Sequence, residues 1–411
     1  MNFSFFIFNR LSKESSKNPS SDKQGSSKLI VRLATTAVAI SIMVMIIAIS
    51  IVKGYQQQVR NKLIGFNSPI QVTHLDLNNS FESSPIEKDS TYEKLIASQP
   101  GFLWIQSYSN KAGIIKTNEA FEGILLKGAS NNYNWEFIKE HLIEGTVLNK
   151  IENSQPEIVL SAITAKRMEV KIGESILIYF VDDPPRLRKF KIVGIFDSGL
   201  SDLDELYAYT NESIIKKLNK WPSNYISGYE ININNFDEIE AKTLEVESLT
   251  TMDKGVSNIF KIYPQLFDWL NLLDMNVLII LILMVAVAGI NMITALLILI
   301  LERSNMVGLL KALGAKDKQI SQIFLFLAMR IIILGLLFGN IFGLGISLIQ
   351  KHFGIIKLNE SAYYLNTVPI EINPVHIILL NLGSFVTCLL ILLIPARFIS
   401  KINPIKTIKF N

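Results

Sequence analysis

A single cysteine, Cys388, in 411 residues excludes a disulfide-stapled secreted scaffold and any paired-thiol metal or redox site. Charged side chains make up only 18% of the chain against 49% hydrophobic, which excludes a disordered, highly solvated polypeptide. No glycine is followed by lysine anywhere, so the G-x-x-x-x-G-K-[ST] phosphate loop is missing. H-E-x-x-H and G-x-S-x-G are missing too, and the histidines (His74, His141, His352 and His376) are scattered. Acid pairs such as Asp182–Asp183 and Asp202–Asp204 fall in loop-like stretches, where solvation accounts for them. The residues point to no enzyme and to no metal or cofactor held by this chain.

The net charge of +4 conceals an uneven distribution. Residues 54–271 hold 22 basic and 29 acidic side chains, whereas the remainder holds 18 basic and only 7 acidic. A nucleic-acid-binding patch would not be divided this way; a membrane protein with a large exported domain would be. Four stretches lack charge for about the 20 helical residues that a bilayer core demands: Leu33–Val52, Met275–Leu301, Ile331–Gln350 and Ile372–Ala396. The first has too long an apolar run for a signal peptide and no small-x-small site after Val52, so it is expected to stay as an anchor.

Basic residues set the orientation. Arg10, Lys13, Lys17, Lys23, Lys28 and Arg32 precede the first stretch; Arg303, Lys311, Lys316 and Lys318 follow the second; Arg397, Lys401, Lys406 and Lys409 follow the fourth. The expected layout is a cytoplasmic or interfacial segment 1–28, a first span 29–53, an extracytoplasmic domain 54–271 and a second span 272–301. A cytoplasmic loop 302–318, a third span 319–350, an outer loop 351–371, a fourth span 372–396 and a cytoplasmic tail 397–411 complete it. Phe3, Phe5, Phe6, Phe8 and Leu11 suit either an interfacial helix or a frayed end, and Ser12–Ser27 reads as a connector. Gly335, Gly339 and Gly343 leave a flat stripe for close helix packing, within the chain or across a dimer. Arg330 is expected to snorkel to headgroups or to pair with Asn291 or Asn381.

Within 54–271, PIQVTHL, GFLWIQSYSN, AGIIKTN, FEGILLKG, ESILIYFV and RKFKIVGIF read as strands. TYEKLIAS, EIVLSAITAKRM, NESIIKKLNK and FDEIEAKTLEVESLT read as helices. The fold class is therefore a membrane protein, α-helical with four transmembrane helices and a large α+β extracytoplasmic domain inserted between helices 1 and 2. Asp182–Pro185 mark a hairpin-like turn with a basic flank, Arg186, Arg188, Lys189 and Lys191.

The loop LERSNMVGLLKALGAKDKQ departs from an ordinary connector. Met306, Val307, Leu309, Leu310 and Leu313 give a short helix an apolar side, and Gly314 stops it in the left-handed conformation that only glycine adopts freely. Such a helix rests on lipid or docks in a partner's groove.

Glu302–Ala315 resembles the signature of FtsX-type ABC transporter permeases, and further stretches are similar to the lipoprotein-releasing LolC/LolE type. These are KGYQQQVRNKLIGFNSPIQV (53–72), EIVLSAITAKRMEVKIGESILIYF (157–180), FKIVGIFDSGLSDLDE (190–205), YPQLFDWLNLLDMN (263–276) and PARFISKINPIKTIKF (395–410). The resemblance implies a multi-pass permease subunit of the bacterial inner membrane that extracts lipoproteins. Its ATP and magnesium would lie on a separate LolD-like ATPase. Other implied partners are a second permease copy, as homodimer or heterodimer, membrane lipids and a periplasmic lipoprotein carrier; no nucleic acid is implied. Glu302, Arg303, Met306, Val307, Leu309, Leu310, Lys311, Leu313, Gly314 and Ala315 would contact the ATPase. Ile46, Ile49, Ile51 and Val52, facing Leu273, Met275, Val277 and Leu278, would line the substrate cavity. Pro184, Pro185, Arg186 and Arg188 would stand at the carrier-docking hairpin, although this turn is short and nearer the LolE type. The alternatives are a mechanotransmitting permease that activates a cell-wall hydrolase, which usually has a smaller exported domain, and a MacB-type efflux permease, whose ATPase is fused N-terminally.

Overall fold

The computed structural model describes residue 7 and residues 22–76, 82, 84–117, 120–148, 155–182, 184–359 and 363–396. The expected interfacial helix at 3–11, most of the 12–27 connector and the basic tail 397–411 lie outside the described residues. Two compact units emerge, one holding Leu270–Lys357 with the chain up to Gln56 and from Thr367 onward, the other Gln57–Trp269 with Leu358–Asn366.

Among the described residues, four helices are long and apolar enough to cross a membrane. They run Asp22–Asn67, Pro264–Glu302, Asp317–Phe353 and Pro374–Ala396. Three of them outrun the charge-free windows. Charge marks the length that must sit in hydrocarbon, whereas helix continuity depends on backbone propensity. Gly54–Asn67 is polar, yet its Gln, Arg, Lys and Leu residues favour helix and no proline interrupts. The first helix therefore continues well past Lys53, until Ser68 takes a positive φ of 54°.

In the membrane unit, the glycine stripe answers its own question. A Cβ on Gly335 would stand 2.6 Å from Val38, one on Gly339 2.6 Å from Ile42, and one on Gly343 3.2 Å from the Met43 backbone. The third helix thus packs against the first within one chain. Ile42, Met45, Met292, Leu296, Phe324, Ile331 and Leu392 fill the space among the helices. Side chains on the other faces, such as Ile282, Ile290, Ile341 and Ile378, are more than half exposed, as expected where the solvent is lipid. Asn340 and Asn381 exchange amide hydrogen bonds at 2.6 and 2.9 Å between the third and fourth helices. That reciprocal pair occupies Asn381, which sequence reading offered to Arg330.

Among the described residues the inserted unit holds twelve strands: β1 (Ile70–His74), β2 (Ile86–Glu87), β3 (Phe102–Lys116), β4 (Phe121–Ala129), β5 (Leu142–Gly145), β6 (Glu157–Ser161), β7 (Ser175–Phe180), β8 (Arg186–Phe196), β9 (Tyr207–Asn211), β10 (Tyr225–Ile226), β11 (Gly228–Ile233) and β12 (Lys254–Asn258). The main sheet runs β12-β1-β11-β3-β4-β9-β6-β8-β5, with β4/β9 and β6/β8 parallel. Because β7 pairs with both β3 and β8, strands β3, β4, β9, β6, β8 and β7 close on themselves and leave no free edge there. Ile115, Leu126, Ile158, Leu160, Ile178, Phe180, Phe190 and Ile192 fill this ring.

Two expectations change here. GFLWIQSYSN and AGIIKTN form one strand, β3. EIVLSAITAKRM is not all helix: Glu157–Ser161 is strand and only Ala162–Arg167 is helical. Ser161 makes the switch, its side chain capping Thr164 N at 3.2 Å. All five residues of β6 are buried, so the strand has no polar face and its continuous apolar run imitates a helix. The Val181–Pro185 turn does join two antiparallel strands, β7 and β8, although Asp183 is outside the described residues.

Candidate functional site

The loop after the second helix folds as expected into a short helix, Ser304–Ala312. It ends in a Schellman motif. Gly314, at φ 89°, donates its N–H to Lys311 O at 3.0 Å, and Ala315 donates to Leu310 O at 2.9 Å, the paired bonds that satisfy the last free carbonyls. Lys311 then bridges to Asp317 at 2.9 Å, fixing the loop helix against the start of the third membrane helix.

This anchoring divides the candidate residues. Val307 and Leu310 are buried in the membrane unit's own core, with Met306 packed beside them. Leu309 and Leu313 point away, 58% and 77% exposed, and Glu302 is exposed while Arg303 and Ala315 are half-buried. An aspartate at Leu310 would therefore damage this chain before it reached any partner. The face open to a partner is built on Leu309 and Leu313, one helical turn apart.

A second feature lies between the first, second and fourth helices, where a cavity of ≈ 430 Å³ has an almost wholly apolar wall. Ile49, Val52 and Val277 are part of its lining. Ile46 instead packs on the third helix, 3.3 Å from the position of a Gly343 Cβ. Ile51 and Leu273 are half-buried outside the lining, and Met275 and Leu278 are 56% and 48% exposed. Sequence reading found the fourth helix but did not place it at this cavity, where His376, Leu379, Leu380, Gly383 and Ser384 all line the wall. Their spacing of three, four, seven and eight residues puts them on one helical face. That periodicity, which sets a histidine, a glycine and a serine among leucines on one face, was the available signal.

At the hairpin, Pro184, Pro185 and Arg188 are exposed, but Arg186 is engaged at home. Its Nη1 donates to Leu218 O at 2.7 Å, and its Nε lies 3.8 Å from Asp182. Asp182 in turn holds the buried Lys111 at 2.9 Å. Among the described residues no group of histidine, cysteine, aspartate and glutamate side chains could hold a metal ion.

The geometry is that of a membrane permease with an inserted sheet domain, and comparison with known proteins agrees. The description "MacB-like periplasmic core domain" matches residues 33–248, more than half of the chain, and "FtsX-like permease C-terminal" matches 278–404. The chain belongs to this family of FtsX-type permeases with a MacB-like core domain. It is 23% identical to the lipoprotein-releasing system transmembrane protein LolC of Buchnera aphidicola, over 92% of each chain. It is 19% identical to the corresponding LolE of Haemophilus influenzae, over 98% of each. The periplasmic region of MacB from Actinobacillus actinomycetemcomitans is similar to 51% of this chain over 97% of its own length, at 15% identity and a TM-score of 0.35.

Proposed function

We propose that this chain is the membrane subunit of a lipoprotein-releasing ABC transporter, with its hydrolysing subunit on a separate chain. The inserted domain lies on the outer side of the inner membrane and both chain ends lie inside. A second permease, the same or different, completes the membrane part, and a soluble carrier receives the lipoprotein. Closure of the ATPase pair around ATP would push on the Ser304–Ala312 helix and, through Val307 and Leu310, on the helices that wall the cavity. The observation that carries this reading is the exposed Leu309–Leu313 face on a helix otherwise locked into its own chain. Apolar side chains held in this way at a cytoplasmic loop fit a groove better than they fit water.

The test is co-purification of the full chain with its native partners, followed by ATP-driven release of a lipoprotein from proteoliposomes. Leu309→Asp and Leu313→Asp should each place a charge in a desolvated contact, at a cost of roughly 2 kcal/mol or more. Each should lower ATPase recovery at least tenfold while membrane insertion stays normal. Full ATPase recovery and release with both substitutions combined would show that this face rests on lipid.

A further inference from the structure

Strand β3 is longer than the strands on either side of it, β11 and β4. Ser227 N donates to Tyr108 O at 3.0 Å, Asn110 N to Ser227 Oγ at 2.8 Å and Ala112 N to Glu82 Oε1 at 2.9 Å. These bonds lie on one edge of β3, the edge that β11 pairs as far as Tyr108. Successive residues of a strand direct their main-chain groups to opposite sides, so those of Ile105 and Ser107 face the other edge. β4 covers that edge only from Tyr108 to Lys116 and ends at Ala129. Among the described residues no strand takes its place beside 102–107. The sheet has an open edge there.

A polar cavity of ≈ 460 Å³ opens at this edge, lined by Ile105, Gln106 and Ser107 of β3 and by Ala129, Ser130 and Asn131 where the chain leaves β4. Its charges cancel. Lys88 lies 3.6 Å from Glu93, and Lys216 lies 3.2 Å from Glu212. Lys88 Nζ also donates to Ser107 Oγ at 3.3 Å, and Lys216 Nζ to Ser223 O at 2.8 Å. By contrast, the side chains of Ser130, Asn131, Asn132 and Ser213, which line the same cavity, hold no hydrogen bond among the described residues. The edge itself is fixed. Gln106 donates from Nε2 to Glu230 at 2.9 Å and accepts from Asn134 N at 2.9 Å, so little ordering is left for a ligand to impose.

An open strand edge presents alternate N–H and C=O groups to a second extended chain. From Phe102 to Ser107 the edge spans about 20 Å at ~3.4 Å per residue. A charged side chain entering the cavity would find each opposite charge already paired, and an apolar one would meet only Ile105 and Ala129. Hydroxyl and amide groups would find free partners. We propose that this edge receives an extended polypeptide segment rich in serine, threonine, asparagine and glutamine, added antiparallel to β3 in the line that β4 vacates. The site belongs wholly to the inserted unit and does not rest on the transport reading.

The probe is a synthetic peptide of about eight residues, built from serine, asparagine and threonine, blocked at both ends and carrying a fluorophore. It is mixed with the full chain in nanodiscs. Anisotropy should show saturable binding, and hydrogen exchange across 103–107 should slow at least tenfold. N-methylation of alternate peptide amides should weaken binding at least tenfold in one phase and leave it within about twofold in the other, because one side only of the added strand is paired. Peptides with aspartate or lysine in place of the serines should bind at least tenfold more weakly. Ile105→Pro removes an N–H from the open edge, a position that tolerates proline, and should abolish binding at an unchanged unfolding temperature. Ser213→Trp, which narrows the cavity without touching β3, should do the same. No binding of the uncharged peptide at millimolar concentration would overturn the site. Equal loss from both methylation phases would overturn the added strand, and tighter binding of a charged peptide would overturn the ligand class. A dimer that Ile105→Pro dissociates, with no peptide bound, would give the edge to a second copy of this chain instead.

Discussion

Lys127 and Glu230 are each about 1% exposed and form an ion pair inside the inserted unit. Lys127 also donates to Phe66 O, near the C-terminal end of the first helix, where the helix dipole favours a cation. Gln106 holds the other Glu230 oxygen at 2.9 Å. The rings of Tyr108, Tyr133 and Tyr207 lie 5.4–6.0 Å from the ammonium. Lys127→Met would strand Glu230 without a counter-charge and should cost about 3–5 kcal/mol, most of it regained when Glu230→Leu is added. Thermal unfolding of the full chain, followed by tryptophan fluorescence, checks both. Asp204 makes the opposite case. Burial, outweighing its hydrogen bonds from Ser198 and helped by nearby Asp197, pushes its carboxyl up to about 7. The folded chain then keeps a proton that the unfolded chain releases near pH 4. This group's contribution is therefore full below about pH 4 and falls as pH rises to about 7, by on the order of 4 kcal/mol. Asp204→Asn should flatten that part of the profile, and a wild-type unfolding temperature that does not fall between pH 5 and pH 8 relative to Asp204→Asn would refute the assignment. Neither group was legible in the sequence. Lys127 and Glu230 are 103 positions apart, and Asp202–Asp204 read as a solvated loop pair although Asp204 is fully buried.

Single elements were legible where one solvent decided them. The four membrane helices showed themselves because a charge in hydrocarbon is costly, and the alternating strands β7 and β8 because each has one wet face. Strand β6, buried on both faces, imitated a helix, and β9, β11 and β12 were missed, since pairing partners rather than local pattern make them strands. The glycine stripe was seen, but its partner could be named only from packing. Gly339→Leu would drive a side chain into Ile42 and the Ala39 carbonyl, 2.6 and 2.8 Å from its Cβ. Overpacking of this kind should cost about 1–3 kcal/mol. Gly345→Leu, six residues on, meets nothing within 4 Å and should be silent. Comparing the thermal inactivation of these two variants in detergent separates a packing seam from a general loss of helix flexibility, because both substitutions remove a glycine from the same helix.

At the scale of the whole molecule, orientation rests on charge. The inserted segment 54–271 carries the acidic excess, and the flanks and the 302–318 loop carry the basic one. Lysine and arginine near helix ends resist export, so the proposed orientation keeps the basic 302–318 loop inside and the inserted segment outside. The fold makes this testable with few side effects. Cys388 is buried in the helix packing, so Cys388→Ser gives a background free of thiols. Asn131 is exposed in the inserted unit and Lys316 is exposed beside the loop helix; among the described residues Lys316 makes no ion pair, whereas Lys311 is bridged to Asp317. In intact spheroplasts a membrane-impermeant maleimide should label Asn131→Cys and leave Lys316→Cys untouched until the membrane is permeabilised. The reverse pattern would place Leu309 and Leu313 outside, beyond the reach of any cytoplasmic ATPase. The coupling face would then have no motor to meet, and the transport reading would fall with it.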